Sequence, residues 1–488
     1  MNMIMDRILS CRVLSYNTIR LFWGGVIFFV LLSCSRDEII NIDDGEQIEP
    51  PTSIQLIDGD GNCYLPFLIT DDAIHIQVPN QLDLTALTIR AVDNSNESFL
   101  RLNKGLFNKA LDMTDFTAPY NCYSIVNGVE TRRKIVLHNL PVLCIDTPGG
   151  AAISSRTERL EGCKVSLVEV NDSLFSFVSD LGVAGIRGRG QSSWNQPKKP
   201  YNIKFDKKVS ILGMKASKHW QLLANAYFDR SQIRNATAFE VARQTDFDWV
   251  QSGRYVELIL NGTHVGLYYL CEKIRVEKGK IDIDSNTSLA DKSFLLESFV
   301  CGDSEYPTVT FTQNMFNTGV ITTTGDARFP CVLSWEIKDP DEDELTDGYV
   351  NEVKRELQNV ETAIKQFETG EYLNYFDIES AIDWYLVEEV CLNEEACRSK
   401  NLYLYRNSGS KAKVKVGPPW DFDAWSFGQY GVEFRNWTMR PALYYSYLLQ
   451  DPVFIERLKE KWVKYRPIWE YRIPIYIEKL YNELKFRK

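Results

Sequence analysis

The sequence predicts an α+β protein in which a small all-β sandwich precedes a larger domain, β-rich at first and helical at its end. Three observations predict it. From Ile54 to Leu140 short alternating runs (Ile74–Val78, Leu87–Val92, Lys134–Leu137) are separated by Asp-Gly, Pro-Asn and Asn-Gly turn signals. Strand patterns continue through about 141–300, interrupted by one helical stretch. Helical periodicity then dominates about 345–488.

At 488 residues the chain exceeds one compact core, so two or three domains are expected. Hydrophobic content of 44% and charged content of 25% are those of a globular protein and exclude a disordered or fibrous chain. The net charge of −11 argues against a nucleic-acid binder, which needs a basic face. The local basic run Arg187–Lys208 survives that exclusion, because a small ligand sees only the local field.

The N-terminus reads as an export signal. Arg7, Arg12 and Arg20 precede the apolar run Leu21–Leu32, which is short for a bilayer span. It ends in Leu31-Leu32-Ser33-Cys34, which resembles a bacterial lipoprotein lipobox with Cys34 as the lipidated residue. Residues 1–34 are then a signal peptide and 35–53, with Pro50-Pro51, a tether. The expected location is the cell envelope, at the outer membrane or cell surface, through a lipid anchor. Eleven cysteines form no CxxC pair, so zinc ribbons and thioredoxin-like redox motifs have no support.

Along the larger domain, strands are expected around Lys164–Val170 and Leu174–Phe177. They lead into Gly185–Phe205, GIRGRGQSSWNQPKKPYNIKF. Glycines there let backbone N–H groups approach an anion, and arginine and lysine supply counter-charge for a polyphosphate. Asp229-Arg-Ser-Gln232 resembles a capping box for a helix running to Arg243. Tyr255–Leu260 and Val265–Leu270 flank the hairpin signal Asn261-Gly262, and His264 beside it reads as an exposed hairpin residue. Helices are expected at Tyr349–Phe367, Ile378–Val390, Pro452–Tyr465 and Ile475–Leu484, and strands at Leu402–Tyr405 and Lys413–Val416.

Two further stretches carry chemistry. Lys413–Gly428, KVKVGPPWDFDAWSFG, delivers Asp421 and Asp423 at the end of a short strand, two carboxylates suited to a hard cation such as Mg²⁺. Asn393–Asn401, with Glu394, Glu395, Arg398 and Lys400, is a polar loop between a helix and a strand. A phosphoryl-transfer enzyme keeps its catalytic loop in such a place. No GxxxxGK[ST], GxSxG or HExxH occurs, and the four histidines (75, 138, 219, 264) are not spaced as metal ligands.

These stretches, with WQLLANAYFDRSQIRNATAFEVAR, YVELILNGTHVGLYYLCEKIRV, Phe294–Glu297 and ALYYSYLLQDPVF, run in order over about 141–465. Together they resemble the CotH family of spore-coat-type atypical protein kinases, in its bacterial surface-lipoprotein branch. The resemblance implies a two-lobed kinase-like domain over 141–488, with a β-rich lobe at about 141–300 and a helical lobe at about 345–488. An Ig-like sandwich at 54–140 precedes it. It implies ATP and Mg²⁺ (or Mn²⁺) as cofactors and transfer of the γ-phosphoryl to Ser/Thr of a protein acceptor. Arg187, Arg189, Ser192 and Ser193 would line the phosphates. Lys199 or Lys204 would pair with phosphate, and Glu272 or Glu297 would position that lysine. Arg234 and Asn235 would face the cleft, Lys400 would contact phosphate or metal, and Asp421 and Asp423 would match the family's WDxD metal site. Glu395 stands where many members carry Asp and is the expected base. A pseudokinase scaffold that binds a partner and a nucleotidyl transferase on the same fold are the rival functions.

Overall fold

The computed structural model describes residues 53–485, apart from 81, 85–86, 93–98, 103–109, 113–119, 127–128, 171–175, 226, 285, 302–310, 322, 325–330 and 430–436. The expected export signal with Cys34, and the expected tether up to residue 52, lie outside the described residues.

The first region holds two sheets. One runs Cys63–Tyr64, Ser53–Ile57, Thr88–Val92, Ala110–Asp112; the other runs Pro66–Ile69, Ala73–Gln77, Val129–His138, Tyr120–Val126, Phe99–Leu102. Strand alternation explains the packing. Ile74, Ile76, Ile135 and Leu137 join Leu56, Tyr64 and Ile89 in an apolar core. Their neighbours His75, Gln77 and His138 face the other way yet remain buried, since that face meets the next domain.

That domain begins with a closed seven-stranded barrel. Its strands, in spatial order, are Val142–Asp146, Leu160–Val170, Ser176–Gly188, Tyr201–Val209, Ser217–Leu223, Thr263–Glu272 and Gly253–Leu260. A parallel pairing of Val142–Ile145 with Glu257–Leu260 closes it. Leu143, Ile186, Ile203, Trp220, Leu222, Val256 and Leu258 fill the interior, so any ligand must bind outside the wall.

A second, antiparallel sheet follows: Met315–Phe316, Cys331–Asp339, Phe294–Cys301, Tyr403–Arg406 and Lys415–Val416, with Thr323–Thr324 on Cys331–Asp339. Helices Arg234–Arg243, Asp347–Lys365, Ile378–Val390, Tyr445–Leu448 and Pro452–Leu484 pack with it into one large core. The protein is thus a mixed α+β chain. Side chains cap three of these helices: Thr346 accepts from Tyr349 N, Asp377 from Ser380 N, and Asp451 from Val453 N.

Two local expectations need correction. Pro452–Leu484 is one helix, although Pro467 and Pro474 lie inside it. Each proline costs about 3 kcal/mol in a helix interior, which the burial of Tyr465, Trp469, Ile473 and Leu480 offsets. The Asp229 carboxylate accepts from Arg234 N at 2.8 Å, but the residue at the N-cap position is Ile233, whose side chain makes no capping bond. Gln232 has φ +63° and so stands outside the helix.

Within the helical core Glu361 is fully buried; it accepts from Thr318 Oγ1, from Ile321 N at 3.2 Å and from Tyr444 OH at 3.1 Å. Burial pushes its carboxyl up to about 7 from the ordinary 4.5. The folded state therefore keeps a proton that the unfolded chain releases, and Glu361's contribution to stability falls as pH rises from 4.5 to 7. The loss is about 3 kcal/mol at most. A Glu361→Gln variant keeps these partners and removes this dependence. Chemical denaturation of both proteins at pH 5 and pH 8 checks it: the variant should gain relative to wild type only at the higher pH.

Candidate active site

The loop Arg189–Pro200 joins two barrel strands and closes one side of a cleft of about 680 Å³. Trp194 lies flat over Gly188, where a Cβ would come within 2.4 Å of its ring. Gly190 turns the chain at φ +74°. The N–H of Gly188 donates to Ser155 O and that of Arg189 to Pro200 O, so these two groups serve the loop rather than an anion.

Strand register lines the cleft with two rows of side chains. On the outer barrel wall Arg187, Asn202 and Gln221 are cross-strand neighbours. Gln221 donates to Asn202 at 3.1 Å. On the second sheet Tyr403, Glu297 and Glu336 form another cross-strand row, and Lys338 follows Glu336 on the same face. Both rows line the cleft, with Arg156, Arg189, Ser192, Ser193 and Lys273.

Lys338 Nζ lies 3.2 Å from Glu297 and 3.0 Å from Glu336. Burial opposes its charge, but these carboxylates outweigh it and hold its pKa above the ordinary lysine value. Glu297 is itself half-buried; Lys338 and the Tyr403 hydroxyl, donating at 2.5 Å, hold it ionised below the usual range despite burial. Lys273 differs: burial and the nearby cations Lys338 and Arg187 lower it to about 8. An anion in the cleft would favour its charged form.

The floor is Trp420-Asp421-Phe422-Asp423. Trp420 stacks on Phe239 with ring centroids 5.9 Å apart, and Arg189 lies 5.6 Å from its ring. Asp421 sits at φ +69°; Asn401 Nδ2 donates to its carboxylate at 2.8 Å and Asn393 Nδ2 to its carbonyl at 3.2 Å. Asn235 accepts from Phe422 N at 2.9 Å, and Arg234 donates to Asp423 O at 3.1 Å and to Gln429 at 2.6 Å. Arg234 and Asn235 thus buttress the floor from behind. Burial and the charges of Asp421 and Glu395 push the Asp423 carboxyl well above the usual range. A divalent cation would relieve that repulsion, and the all-oxygen donor set suits Mg²⁺.

Glu395 enters from the loop before Ala396–Arg398, with Lys400 Nζ 3.6 Å behind it. Ser298 fixes this loop: its hydroxyl donates to Ser399 O at 2.6 Å and accepts from Leu402 N at 3.0 Å.

The structure therefore brings Arg187, Arg189, Ser192, Ser193, Glu297, Glu395, Asp421 and Asp423 into one cleft. Lys199, Lys204 and Glu272 lie elsewhere. Lys199 donates to Trp194 O at 2.7 Å and braces the loop, while Lys204 points from the barrel into solvent. Glu272 is buried, accepts from Ser252 N at 3.0 Å and lies 3.6 Å from Lys280. Sequence reasoning missed Lys338, Lys273 and Tyr403. The alternation in Ser334–Lys338 marks a strand with Glu336 and Lys338 on one face, which is the signal that was available.

The profile of the family described as CotH kinase protein matches residues 186–486. No curated protein matches the chain.

Proposed function

The chain belongs to the CotH kinase family, and we propose that its cleft transfers the γ-phosphoryl group of ATP to a Ser or Thr hydroxyl of a protein acceptor. The observation that carries this reading is a carboxylate cluster facing cations in one cleft. Arg187, Arg189 and Lys338 stand on its walls, Lys338 between Glu297 and Glu336, while Asp421, Asp423 and Glu395 gather at its floor. A triphosphate needs the first set and its metal the second. The arrangement fits a two-lobed kinase-like design, with the cleft between the barrel wall and the second sheet.

In this reading Lys338, held by Glu297, binds phosphate oxygens, and Arg187 and Arg189 offset the charge of the transferring group. Asp421 and Asp423 would hold Mg²⁺, which neutralises phosphate charge when bound. Glu395 accepts the acceptor's hydroxyl proton as the new O–P bond forms and the bond to ADP breaks. Asn401 keeps the Asp421 carboxylate oriented. Cys34 would carry the lipid that anchors the protein to the cell envelope. Among the described residues no helix is long and apolar enough to cross a membrane.

The test incubates the full-length chain with Mg²⁺ and separately with γ- and α-labelled ATP. Label from the γ position alone is expected, reduced about 10²-fold or more in Glu395→Gln. Label from the α position would instead make the protein a nucleotidyl transferase. Nucleotide-dependent thermal stabilisation without transfer to itself or to acceptor proteins would make it a scaffold.

A further inference from the structure

Three of the chain's four histidines meet at one point, between the N-terminal sandwich and the barrel. His138 Nδ1 lies 2.5 Å from Glu257 Oε2, and His264 Nε2 lies 2.7 Å from the same oxygen. His75 Nδ1 is 2.9 Å from His138 Nε2. His138 and Glu257 are 0% and 1% exposed, and His264 is 29% exposed, so it borders solvent rather than standing free on a hairpin.

Strand register explains the convergence. Ile76 and Leu137 point into the sandwich core, which turns His75 and His138 outward. Val256 and Leu258 fill the barrel, which turns Glu257 outward towards them. A bulge between Leu258 and Ile259, with Gly266 at φ +107°, brings His264 onto the face of Glu257. Sequence spacing hides this cluster, because its members come from four strands.

The donor chemistry is specific. Two imidazole nitrogens and one carboxylate oxygen lie within 4.8 Å of one another, the three-ligand set of zinc sites that keep a fourth position open. His264 Nε2 is buried and makes no hydrogen bond despite its nearness to Glu257. His75 stands where an outer partner belongs, 2.9 Å from the far nitrogen of His138, and holds that ring's orientation. Phe67 covers both rings from the sandwich side, with centroids 6.2 and 5.6 Å away.

We propose that His138, Glu257 and His264 bind one divalent cation of the Zn²⁺ class, which fastens the sandwich to the barrel. The site shares no residue with the nucleotide cleft and does not depend on the kinase reading. It joins Glu257 and His264, inside the residues matched to the family, to His138, outside them.

The test strips the full-length chain with a chelator and titrates it with Co²⁺ as a spectroscopic probe, then with Zn²⁺. One equivalent should give the intense ligand-field bands of a four- or five-coordinate nitrogen–oxygen site, displaced by Zn²⁺. Asp421→Asn should leave those bands unchanged, which separates them from metal in the cleft. His264→Ala and Glu257→Gln should each lose them, and Zn²⁺ should raise the melting temperature of wild type but not of His264→Ala. His264 borders solvent, so its variant is the one expected to fold, and His264→Asn provides a second. His75→Gln should keep the bands with about 10–100-fold weaker affinity. Absence of saturable uptake, or bands that persist in both the His264 and Glu257 variants, overturns the site.

Discussion

Asp421→Asn is expected to lower metal-dependent phosphoryl transfer by about 10²–10³-fold while leaving the fold intact. Asparagine is the informative substitution because Asp421 occupies the left-handed region at φ +69°. Asparagine tolerates that conformation, whereas alanine would add backbone strain to the loss of charge. The amide oxygen can still accept from Asn401, and Asn393 still donates to the backbone carbonyl. Only the negative charge is removed. The charge matters because Asp421 and Asp423 share a floor on which Asp423 is already pushed towards its neutral form by burial, Asp421 and Glu395. Removing one carboxylate eases Asp423 back towards ionisation, but leaves one anion where a cation drew on two. Metal titration by calorimetry in buffers of different ionisation enthalpy checks both parts. Wild type should release a proton as metal binds. The variant should bind more weakly and release less. Unchanged affinity in Asp421→Asn would remove the metal from this floor.

The contrast between what the sequence disclosed and what it concealed follows from the range of the interactions. Asp421 and Asp423 were readable because two carboxylates on one turn are a local pattern. Arg187 and Arg189 were readable because they stand in one glycine-rich run, the first at the end of a barrel strand and the second at the start of the loop that follows. The lysine that faces Glu297 was not. Lys199 and Lys204 lie beside the arginines in sequence, but Lys199 folds back onto Trp194 and Lys204 points into solvent. Lys338 comes from a strand more than a hundred residues downstream and reaches the cleft only through pairing with Phe294–Cys301. The barrel shows the same limit. Its strands were largely visible as alternating runs, yet closure depends on a parallel pairing of Val142–Ile145 with Glu257–Leu260 that no local pattern encodes. The histidine cluster is the extreme case, since its members share only a face.

Lys338 and Glu297 offer the second large effect, and it separates catalysis from stability. Lys338 sits between Glu297 and Glu336, which are directly opposed across two strands. Lys338→Met leaves two like charges facing each other, a destabilising arrangement in a sheet. The side chains are 34% and 24% exposed for Lys338 and Glu297, so the full cost of breaking a buried pair does not apply. About 1–2 kcal/mol is the expected loss. Phosphoryl transfer should fall by about 10²-fold or more, because the preorganised cation proposed to bind phosphate is gone. In Lys338→Met/Glu297→Gln the repulsion goes while the cation stays absent. Denaturation should then show stability recovered towards wild type, and activity should remain at the level of the single variant. A Tyr403→Phe change removes only the hydroxyl that donates to Glu297 and should weaken nucleotide affinity with a far smaller loss of stability. If activity returned with stability in the double variant, Lys338 would be a structural cation and the phosphate site would have to be built from Lys273 and the arginines instead.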